Sequence, residues 1–217
     1  MSTNSKFINV DYNDLVLHPD IESVFNENPD SILEAFSRAI KEILQERFPK
    51  YAKKIEHEIR ARIANYPVQR SLRQINAEVI GKITSVSGMV LRASEVKPLA
   101  KELVFVCPEG HQTGQLLGHN MTLPPPAQCE NPKCNHRDLD PHPQSSRFID
   151  VQFVRLQELP EDLPPGQLPH YLYVTVKQDL VDNARPGDRV VLTGIVRIEQ
   201  EKMSGVSKSE SPLYRLR

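Results

Sequence analysis

The stretch EVIGKITSVSGMVLRAS, residues 78–94, decides our interpretation of the fold. Apolar and polar residues alternate along it, several are β-branched, and glycines stand at positions 81 and 88. Alternation with a period of two is typical of a half-buried strand, and an internal glycine permits a bend or a bulge. The pattern therefore predicts a curved pair of β-strands.

Further strand patterns follow at short intervals along the chain. They are ELVFV (102–106), RFIDVQFVRLQEL (147–159), YLYVTVKQDLV (171–181), DRVVLTGIVRIEQ (188–200) and PLYRLR (212–217). Several short strands with one long insert are typical of a small Greek-key barrel of the OB type. We predict an α+β, mainly β chain whose five-stranded OB barrel spans 71–106 and 148–217, with an insert at 107–147.

Helical spacing marks the N-terminal 70 residues, after a short strand FINV (7–10). Ser31 and Glu34 form a capping-box pattern, which predicts a helix that begins at Ser31 and ends at FPK (48–50). Its apolar residues recur every three or four positions: Ile32, Phe36, Ala39, Ile40, Ile43 and Leu44. A second helix is predicted over about 50–65 from Tyr51, Ile55, Ile59 and Ile63. We therefore predict a helical bundle over 1–70 with these stripes as its core.

Charge is balanced overall but uneven along the chain. Of the 217 residues, 27 are basic and 28 are acidic. Segments 67–106 and 185–217 each carry a net charge of +3, whereas 148–184 carries −4. Two basic segments suit a local anionic partner better than a uniform coat. No run of about 18 apolar residues occurs, so no membrane partner is expected, and MSTNSKFINV lacks the apolar part of a signal peptide.

The segments FVCPEGHQTG (105–114) and QCENPKCNHR (128–137) together give the pattern C-x3-H-x17-C-x4-C. Two ligand pairs on tight turns, separated by a loop, match the demand of a tetrahedral ion. Three thiolates and one imidazole favour Zn²⁺ over calcium or magnesium. The predicted ligands are Cys107, His111, Cys129 and Cys134. Three neighbouring histidines are alternatives to His111, namely His119, His136 and His142.

A structural role for this zinc is favoured over a catalytic one. Four protein ligands close the coordination shell, whereas a catalytic zinc usually keeps one position open for water. The H-x-E and P-C-x-x-C pattern of zinc deaminases is also absent from the sequence. A hydrolase with catalytic zinc stays as a weaker alternative.

Two groups of basic residues are candidate nucleic-acid contacts. Arg92 and Lys97 lie in RASEVKP at the end of the first strand pattern, and each could equally be a solvated surface charge. OB barrels commonly hold single strands through a basic groove. Near the C-terminus, GIVRIEQEKMSGVSKSESPLYRLR (194–217) has the pattern of two strands joined by a polar tip with Lys202 and Lys208. That tip is either a phosphate-contacting finger or a mobile solvated loop.

Three motifs resemble the N-terminal portion of minichromosome maintenance (MCM) replicative DNA helicases. In order they are G-K-x-x-x-V-x-G-x-V-x-R from Gly81, Q-E-x-P-E-x-x-P-x-G-x-x-P from Gln157, and D-L-V-D-x-x-x-P-G-D-x-V from Asp179. Residues 20–66 match only in pattern. The C-x3-H and C-x4-C insert looks like the archaeal version of the family.

The resemblance implies a helical subdomain, a zinc subdomain and an OB-fold, with six copies forming a ring around DNA. The family's single-stranded DNA strip falls on Arg92, Lys97 and Arg155, and its fourth basic position is occupied by His170. A histidine there is mostly neutral at pH 7, which departs from the family pattern. The channel hairpin falls on about 197–214, with Lys202 and Lys208 as contacts to single- or double-stranded DNA.

The resemblance also implies a loop that relays the state of the N-terminal ring to the motor. Its positions here are Gln157, Glu158, Pro160, Gly166 and His170, and its prolines make it stiff. The sequence has no Walker A or Walker B motif and stops where the motor would begin. We therefore expect no ATP hydrolysis by this chain, whose partner would be the C-terminal ATPase domain of a full-length ATP-dependent helicase.

Two further expectations follow from the resemblance. An archaeal protein would act in the cytoplasm at the nucleoid, and a eukaryotic one in the nucleus. The alternative function is an assembly scaffold, in which the zinc subdomain mediates contact between rings. The sequence leaves open whether the chain by itself is a monomer, a hexamer or a double hexamer.

Overall fold

The computed structural model describes residues 7–50, 59–116, 128–134, 136–200 and 214–216. The helices of these residues are α1 (Tyr12–Val16), α2 (Pro19–Glu27) and α3 (Pro29–Arg47). The strands are β1 (Phe7–Asp11), β2 (Arg60–Ala64), β3 (Gln69–Arg70), β4 (Ile83–Ala93), β5 (Lys97–Val106), β6 (Gln112–Leu116), β7 (Asp140–Pro141), β8 (Arg147–Gln157), β9 (Tyr171–Lys177), β10 (Arg189–Ile195), β11 (Ile198–Gln200) and β12 (Tyr214–Leu216). The expected mainly β class is confirmed. None of the described helices is long and apolar enough to cross a bilayer.

The chain divides into two compact units. The first contains Met1–Met89, Gln157–Leu172 and Arg189–Arg217, and the second contains Val90–Leu156 and Tyr173–Asp188. Strand β4 runs from the first unit into the second. The domain boundaries predicted at 70, 106 and 147 stay predictions.

Helix α3 begins earlier than the sequence predicts. Asn28 is its N-cap, and the Asn28 side-chain oxygen accepts a hydrogen bond from the backbone N–H of Ser31 at 3.4 Å. Pro29 occupies the first turn, where a missing N–H has no cost. The predicted start at the Ser31 capping box was therefore wrong, because Asn28-Pro29 provides a cap three residues upstream. The predicted end before FPK is confirmed, since α3 ends at Arg47.

The second predicted helix was wrong where the structure describes it. Residues 60–64 form β2, which pairs in parallel with β1 from Phe7↔Arg60 to Asp11↔Ala64. The alternation of isoleucine, arginine and alanine over 59–63 has a period of two, which the four-residue spacing of isoleucines obscured. Tyr51 and Ile55 lie outside the described residues. The predicted strand FINV is confirmed as part of β1.

One serine joins helix α3 to the strand pair. The Ser37 hydroxyl donates to the Leu33 carbonyl at 2.6 Å and accepts from the Ala61 N–H of β2 at 2.9 Å. Because Ala61 is buried, its N–H needs a partner away from water. The N-terminal region is thus a mixture of helices and a two-stranded sheet, and the prediction of a purely helical bundle was wrong.

An aromatic cluster forms the core of the first unit. Phe25 is fully buried, and Tyr12, Leu15 and Ile83 are nearly so. The Tyr66 ring meets that of Tyr12 edge to face, with centroids 5.0 Å apart. From α3, the residues packed against the cluster are Ile32, Leu33 and Phe36. Farther along, Ala39 and Ile43 are exposed, so only the first half of the predicted stripe reaches this core.

The opening stretch forms one strand rather than the predicted pair. Residues Ile83–Met89 of β4 pair antiparallel with β10, and β3 lies parallel to β4 at Ser85 and Val86. Gly81 has a φ of +78°, and its N–H donates to the Val196 carbonyl. The chain therefore turns at Gly81, before β4 begins at Ile83, and not within the strand. Gly88 pairs with Val190 within the ladder and interrupts nothing.

In the second unit, β8 lies between β4 and β5 and also pairs with β9, while β5 pairs with β6 and β7 of the insert. Strand β5 begins at Lys97, five residues before the predicted start, and a register shift at Ala100/Glu102 marks an irregularity. Strand β9 ends at Lys177, earlier than predicted, because Gln178 has a φ of +58° and opens a 3-10 turn. Buried residues of β5 and β8 form the interior: Val104, Phe105, Val151, Val154 and Leu156.

We predict that Phe25→Ala lowers the free energy of unfolding by about 3–5 kcal/mol, because it opens a cavity in a site with no exposed surface. Urea unfolding followed by far-ultraviolet circular dichroism measures the loss. Ile43→Ala is the matched control, since the Ile43 side chain is 52% exposed, and it should cost less than about 1 kcal/mol. Equal losses in the two variants would contradict this assignment of the core.

Candidate metal centre and nucleic-acid interface

The first ligand pair stands on a tight turn between β5 and β6. The Cys107 N–H donates to the His111 carbonyl at 3.1 Å, and the Gly110 N–H donates to the Cys107 carbonyl at 2.8 Å. Gly110 has a φ of +82°, a conformation that favours glycine. The turn brings Cys107 Sγ and His111 Nδ1 to 3.5 Å from each other.

The second pair stands on a separate turn formed by residues 129–136. The Cys134 N–H donates to the Asn131 carbonyl at 2.9 Å, and the Cys129 N–H donates to the His136 carbonyl at 3.0 Å. The Asn131 side-chain oxygen accepts from the Lys133 N–H and tightens the turn. These contacts hold Cys134 Sγ at 3.8 Å from Cys107 Sγ.

The structure brings the four predicted ligands together. The Sγ atoms of Cys107, Cys129 and Cys134 and a ring nitrogen of His111 all lie within 4.8 Å of one another. The three cysteines are buried and form no disulfide. Ligands that lie about 2.3 Å from a tetrahedral zinc ion are separated by about 3.8 Å, which matches the Cys107–Cys134 distance. The donor set therefore fits a soft to borderline metal ion such as Zn²⁺.

The alternative histidines have different surroundings. His136 is about half exposed, and its Nε2 lies 3.4 Å from a Glu109 carboxylate oxygen. His142 Nδ1 lies within hydrogen-bond distance of the Ser145 hydroxyl and backbone N–H. His119 lies outside the described residues. Among the histidines in the described part of the chain, only His111 joins all three thiols in one cluster, although His136 also lies close to Cys134 together with Glu109.

The thiols respond to one another electrostatically. Burial raises the pKa of the Cys107 thiol, but hydrogen bonds from the backbone N–H groups of His111 and Glu109 outweigh burial and bring the pKa to about 6. A backbone hydrogen bond at His136 lowers the pKa of Cys134, yet burial and the neighbouring thiols raise it overall. One thiolate in the cluster thus disfavours a second unless a cation is present.

The predicted DNA strip lies in the second unit. Arg92 is the second-last residue of β4, and Lys97 is the first residue of β5. The short turn 94–96 connects the two strands and therefore lies between these residues. Both side chains are exposed. Arg155 is half-buried, and its guanidinium carbon lies 5.5 Å from the centre of the Tyr173 ring, a distance typical of a cation–π contact. DNA contact by these three residues stays a prediction.

The base of the predicted hairpin lies in the described part of the chain. Strands β11 and β12 pair antiparallel, from Ile198↔Leu216 to Gln200↔Tyr214. Lys202 and Lys208 lie outside the described residues. Just before β11, Arg197 Nη2 donates to both carboxylate oxygens of Asp30, at 2.6 and 2.7 Å. Asp30 lies in the first turn of α3, where the helix dipole also favours a negative charge.

The predicted coupling loop is closed at its base by a buried carboxylate. Glu158 is 1% exposed, and its backbone N–H donates to the His170 carbonyl at 3.0 Å. The His170 N–H donates back to the Glu158 carboxylate at 3.2 Å. Within the loop, Pro160 begins a 3-10 turn and Gly166 has a φ of +75°. Gln157 ends β8, so this loop starts directly from a strand.

Sequence reasoning missed Arg73, the cation that holds this loop. Arg73 Nε donates to the Glu158 carboxylate at 2.6 Å, Nη2 donates to the Leu168 carbonyl at 3.1 Å, and Nη1 donates to the Gln167 side chain. The hydrogen bond from Arg73 lowers the pKa of Glu158, while burial opposes it. Ser71 and Gln74 form a reciprocal capping box around Arg73, a local signal for its turn but not for its partner.

The fold and the cluster thus define a mainly β protein in which three cysteines and one histidine lie close enough together to hold a metal ion. Comparison with known families adds that residues 1–65 match the MCM N-terminal domain and residues 71–200 match the MCM OB domain. The chain belongs to the MCM family. The expected OB domain is thereby confirmed.

Individual relatives agree with this assignment. The DNA replication licensing factor MCM4 of Drosophila melanogaster is 36% identical over 187 residues, which are 86% of this chain and 21% of that protein. The probable DNA helicase MCM8 of Arabidopsis thaliana is 32% identical over 202 residues, 88% of this chain and 25% of that protein. The DNA helicase MCM8 of Rattus norvegicus is 29% identical over 224 residues, 92% of this chain and 26% of that protein. The chain thus spans about a quarter or less of these relatives. The archaeal type stays a prediction.

We predict that Glu158→Gln lowers the free energy of unfolding at pH 7 by about 2 kcal/mol, because the charged hydrogen bond to Arg73 becomes a weaker neutral one. The folded-state pKa of Glu158 is lowered, so its contribution is present above the unfolded-state pKa of about 4.3 and disappears as the pH falls through the folded-state pKa. Urea unfolding at pH 7 and at about pH 3 checks this, and the gap between wild type and variant should close at the lower pH.

The control for that measurement is Glu161→Gln. Glu161 forms an exposed ion pair with Arg189 at 2.7 Å, and exposed pairs contribute little to stability. A gap between wild type and Glu158→Gln that persists undiminished at low pH would contradict the role of the charged pair.

Proposed function

We propose that this chain is the DNA-binding, ring-forming N-terminal module of a replicative MCM helicase. The proposal depends mainly on Arg92 and Lys97, two exposed cations on either side of one short turn in a chain that matches the MCM OB domain. In the proposed arrangement five strands close into an OB barrel, and six copies form a ring that holds single- or double-stranded DNA in its channel.

Arg155 and the hairpin extend the proposed DNA surface. The guanidinium of Arg155 lies beside the aromatic ring of Tyr173, and such pairs also offer a flat surface to bases. The β11–β12 ladder is the stem of a hairpin whose tip would present Lys202 and Lys208 to phosphate. His170 would be a weaker phosphate contact than arginine, because it lacks the permanent charge and the five-donor fork of a guanidinium.

The coupling loop would transmit the state of this module to an ATPase domain in the same full-length protein. Its base is fixed by Glu158 and Arg73, and Leu168 near its tip is 85% exposed. An apolar side chain held outward on a fixed loop is suited to contact another domain. We place ATP hydrolysis in that other domain, because the chain itself carries no Walker motif.

A structural zinc ion is the proposed cofactor. Cys107, His111, Cys129 and Cys134 would hold it and staple two short turns together. Among the described residues, Leu139 is the partly buried apolar side chain that packs against the cysteines. Zinc bound by four protein ligands has no open position for water, so this site is not proposed to catalyse hydrolysis. A second candidate function, contact between rings through this subdomain, is favoured by the same closed ligand set.

We predict that the chain binds one zinc ion, and that His111→Ala and Cys134→Ser each abolish tight binding because a tetrahedral site loses a ligand. Atomic absorption gives the stoichiometry, and Co²⁺ substitution gives the tetrahedral visible spectrum. His136→Ala is the matched control and should keep the metal. Loss of metal in His136→Ala with retention in His111→Ala would reverse the assignment.

Light scattering before and after metal removal tests the scaffold function. Dissociation of paired rings without weaker DNA binding would favour that function.

We predict a sequence-independent affinity for single-stranded DNA that weakens steeply with salt, because bound phosphates release counterions. In filter-binding titrations, Arg92→Ala with Lys97→Ala should lower the slope of log K against log salt by about 1.4, or about 0.7 for each phosphate contact. Lys202→Ala with Lys208→Ala tests the hairpin in the same titration. Affinity that is indifferent to salt would refute the proposed function, and mass measurement of each variant shows whether assembly is retained.

A further inference from the structure

The segment DLVDNARPGD, residues 179–188, has no role in the function proposed above. It connects the 3-10 turn after β9 to the start of β10 and belongs to the second unit. One part of it bonds directly to Val90 of β4, and another bonds to Gln152 of β8, whose side chain in turn bonds to Ser94, the residue after β4. These contacts give the segment two separate anchors.

The first anchor is a tight turn at Arg185–Asp188 that joins β4. The Asp188 N–H donates to the Arg185 carbonyl at 3.0 Å, and the Arg185 N–H donates to the Asp188 carboxylate at 2.8 Å. Pro186 and Gly187, whose φ is +97°, suit the central positions of a type II turn. The Gly187 N–H then donates to the Val90 carbonyl at 2.8 Å, and the Val90 N–H donates to the Asp188 carbonyl at 2.9 Å.

The second anchor is the side chain of Gln152 on β8. Gln152 is 4% exposed, and its amide oxygen accepts from the Asp182 N–H at 3.0 Å. Its amide nitrogen donates to the Asp182 carboxylate at 3.0 Å and to the Ser94 carbonyl at 2.9 Å. Because a backbone N–H requires an acceptor, the orientation of this amide is fixed by its partners. Asp182 has a φ of +57°, which aspartate tolerates better than most residues.

Ser94 is the point at which this network reaches the proposed DNA strip. Ser94 opens the turn between Arg92 and Lys97. Its N–H donates to the Phe153 carbonyl at 2.8 Å, and its hydroxyl accepts from the Phe153 N–H at 3.0 Å. The Ser94 carbonyl accepts the hydrogen bond from Gln152, so both backbone polar groups of Ser94 are hydrogen-bonded. The segment 179–188 is therefore connected to the turn through one buried amide.

We propose that Gln152 and Asp182 are positioning residues that hold the turn 94–96, and with it Arg92 and Lys97, in the conformation that binds DNA. This inference rests on the proposed DNA strip. A turn that is ordered before binding loses little conformational entropy when DNA binds. Its affinity for DNA is therefore higher than that of a flexible turn with the same number of phosphate contacts. Removal of the amide leaves the Ser94 carbonyl and the Asp182 N–H without these partners and loosens the turn.

The test compares single-stranded DNA binding by the full chain across several salt concentrations. Gln152→Leu removes the amide at similar volume, and Asp182→Ala removes its carboxylate partner on an exposed residue, whose φ of +57° is less favourable for alanine than for aspartate. Both should weaken binding about three- to tenfold, the factor that corresponds to one lost hydrogen bond. The salt slope should stay at its wild-type value, because Arg92 and Lys97 still reach phosphate. Hydrogen exchange of the amides of residues 94–96 should become faster.

Two controls separate positioning from a general loss of stability. Asp182→Asn is the conservative variant, which keeps an oxygen for Gln152 and should bring the affinity back to within about twofold of wild type. Ser146→Ala removes a different half-buried pair of bonds in the same unit, to Val104 and His142, and should not change DNA affinity or exchange at 94–96. A loss of affinity with Ser146→Ala equal to that with Gln152→Leu would overturn the inference.

The remaining outcomes are also distinguishable. If Arg92→Ala and Lys97→Ala weaken binding while Gln152→Leu and Asp182→Ala do not, the inference is wrong and the DNA strip stands. If the arginine and lysine substitutions have no effect, both the strip and the inference are wrong. If Gln152→Leu lowers the salt slope as far as the double substitution does, contacts are lost rather than loosened, and positioning is refuted.

Discussion

The hydrogen-bonding requirement of one strand, β4, is the constraint on which the rest of the structure depends. A buried backbone N–H or C=O without a partner costs about as much as a lost hydrogen bond, so each part of this strand must be paired. In the first unit β10 and β3 provide the partners. In the second unit, Gly187 and Asp188 bond to Val90, and β8 pairs with the strand near its end. Segments far apart in sequence are therefore fixed by their register with β4.

Glu158 and the cysteine cluster are both buried, but they differ in how their negative charge is compensated. Glu158 is compensated by a protein cation, Arg73, which also binds the loop that the carboxylate closes. The cysteine cluster has no such cation among its four members, and the thiolate favoured at Cys107 raises the pKa of Cys134. A divalent ion resolves that conflict, since it allows several thiolates to share one charge. The centre at Glu158 is complete within the chain, and the cysteine cluster has a donor set that fits a metal ion.

The sequence was most informative where the signal was local and periodic. It predicted strands that overlap β5, β8, β9 and β10, the end of α3 before FPK, and a ligand set of Cys107, His111, Cys129 and Cys134 that the fold brings together. It failed where two periods coincide, at Ile59 just before β2 and Ile63 within it, whose spacing fits both a helix and a strand. It also could not find Arg73, because its partner Glu158 lies 85 residues away and nothing in the local sequence indicates that pairing. Long-range pairing of single polar side chains depends on the whole topology, which periodicity does not describe.

The parallel pairing of β1 with β2 has a consequence for how the N-terminal region folds. Parallel strands require a crossover connection, and here α1, α2 and α3 all lie between the two strands. The pair can close only after the chain between its strands has compacted, so this contact carries a large loop-closure entropy and is expected to form late. A shortened chain that lacks Phe7–Asp11 would leave β2 with an open edge, which is a template for association with other strands. Strand β1 thus covers one edge of β2, although it lies far in the sequence from every candidate site.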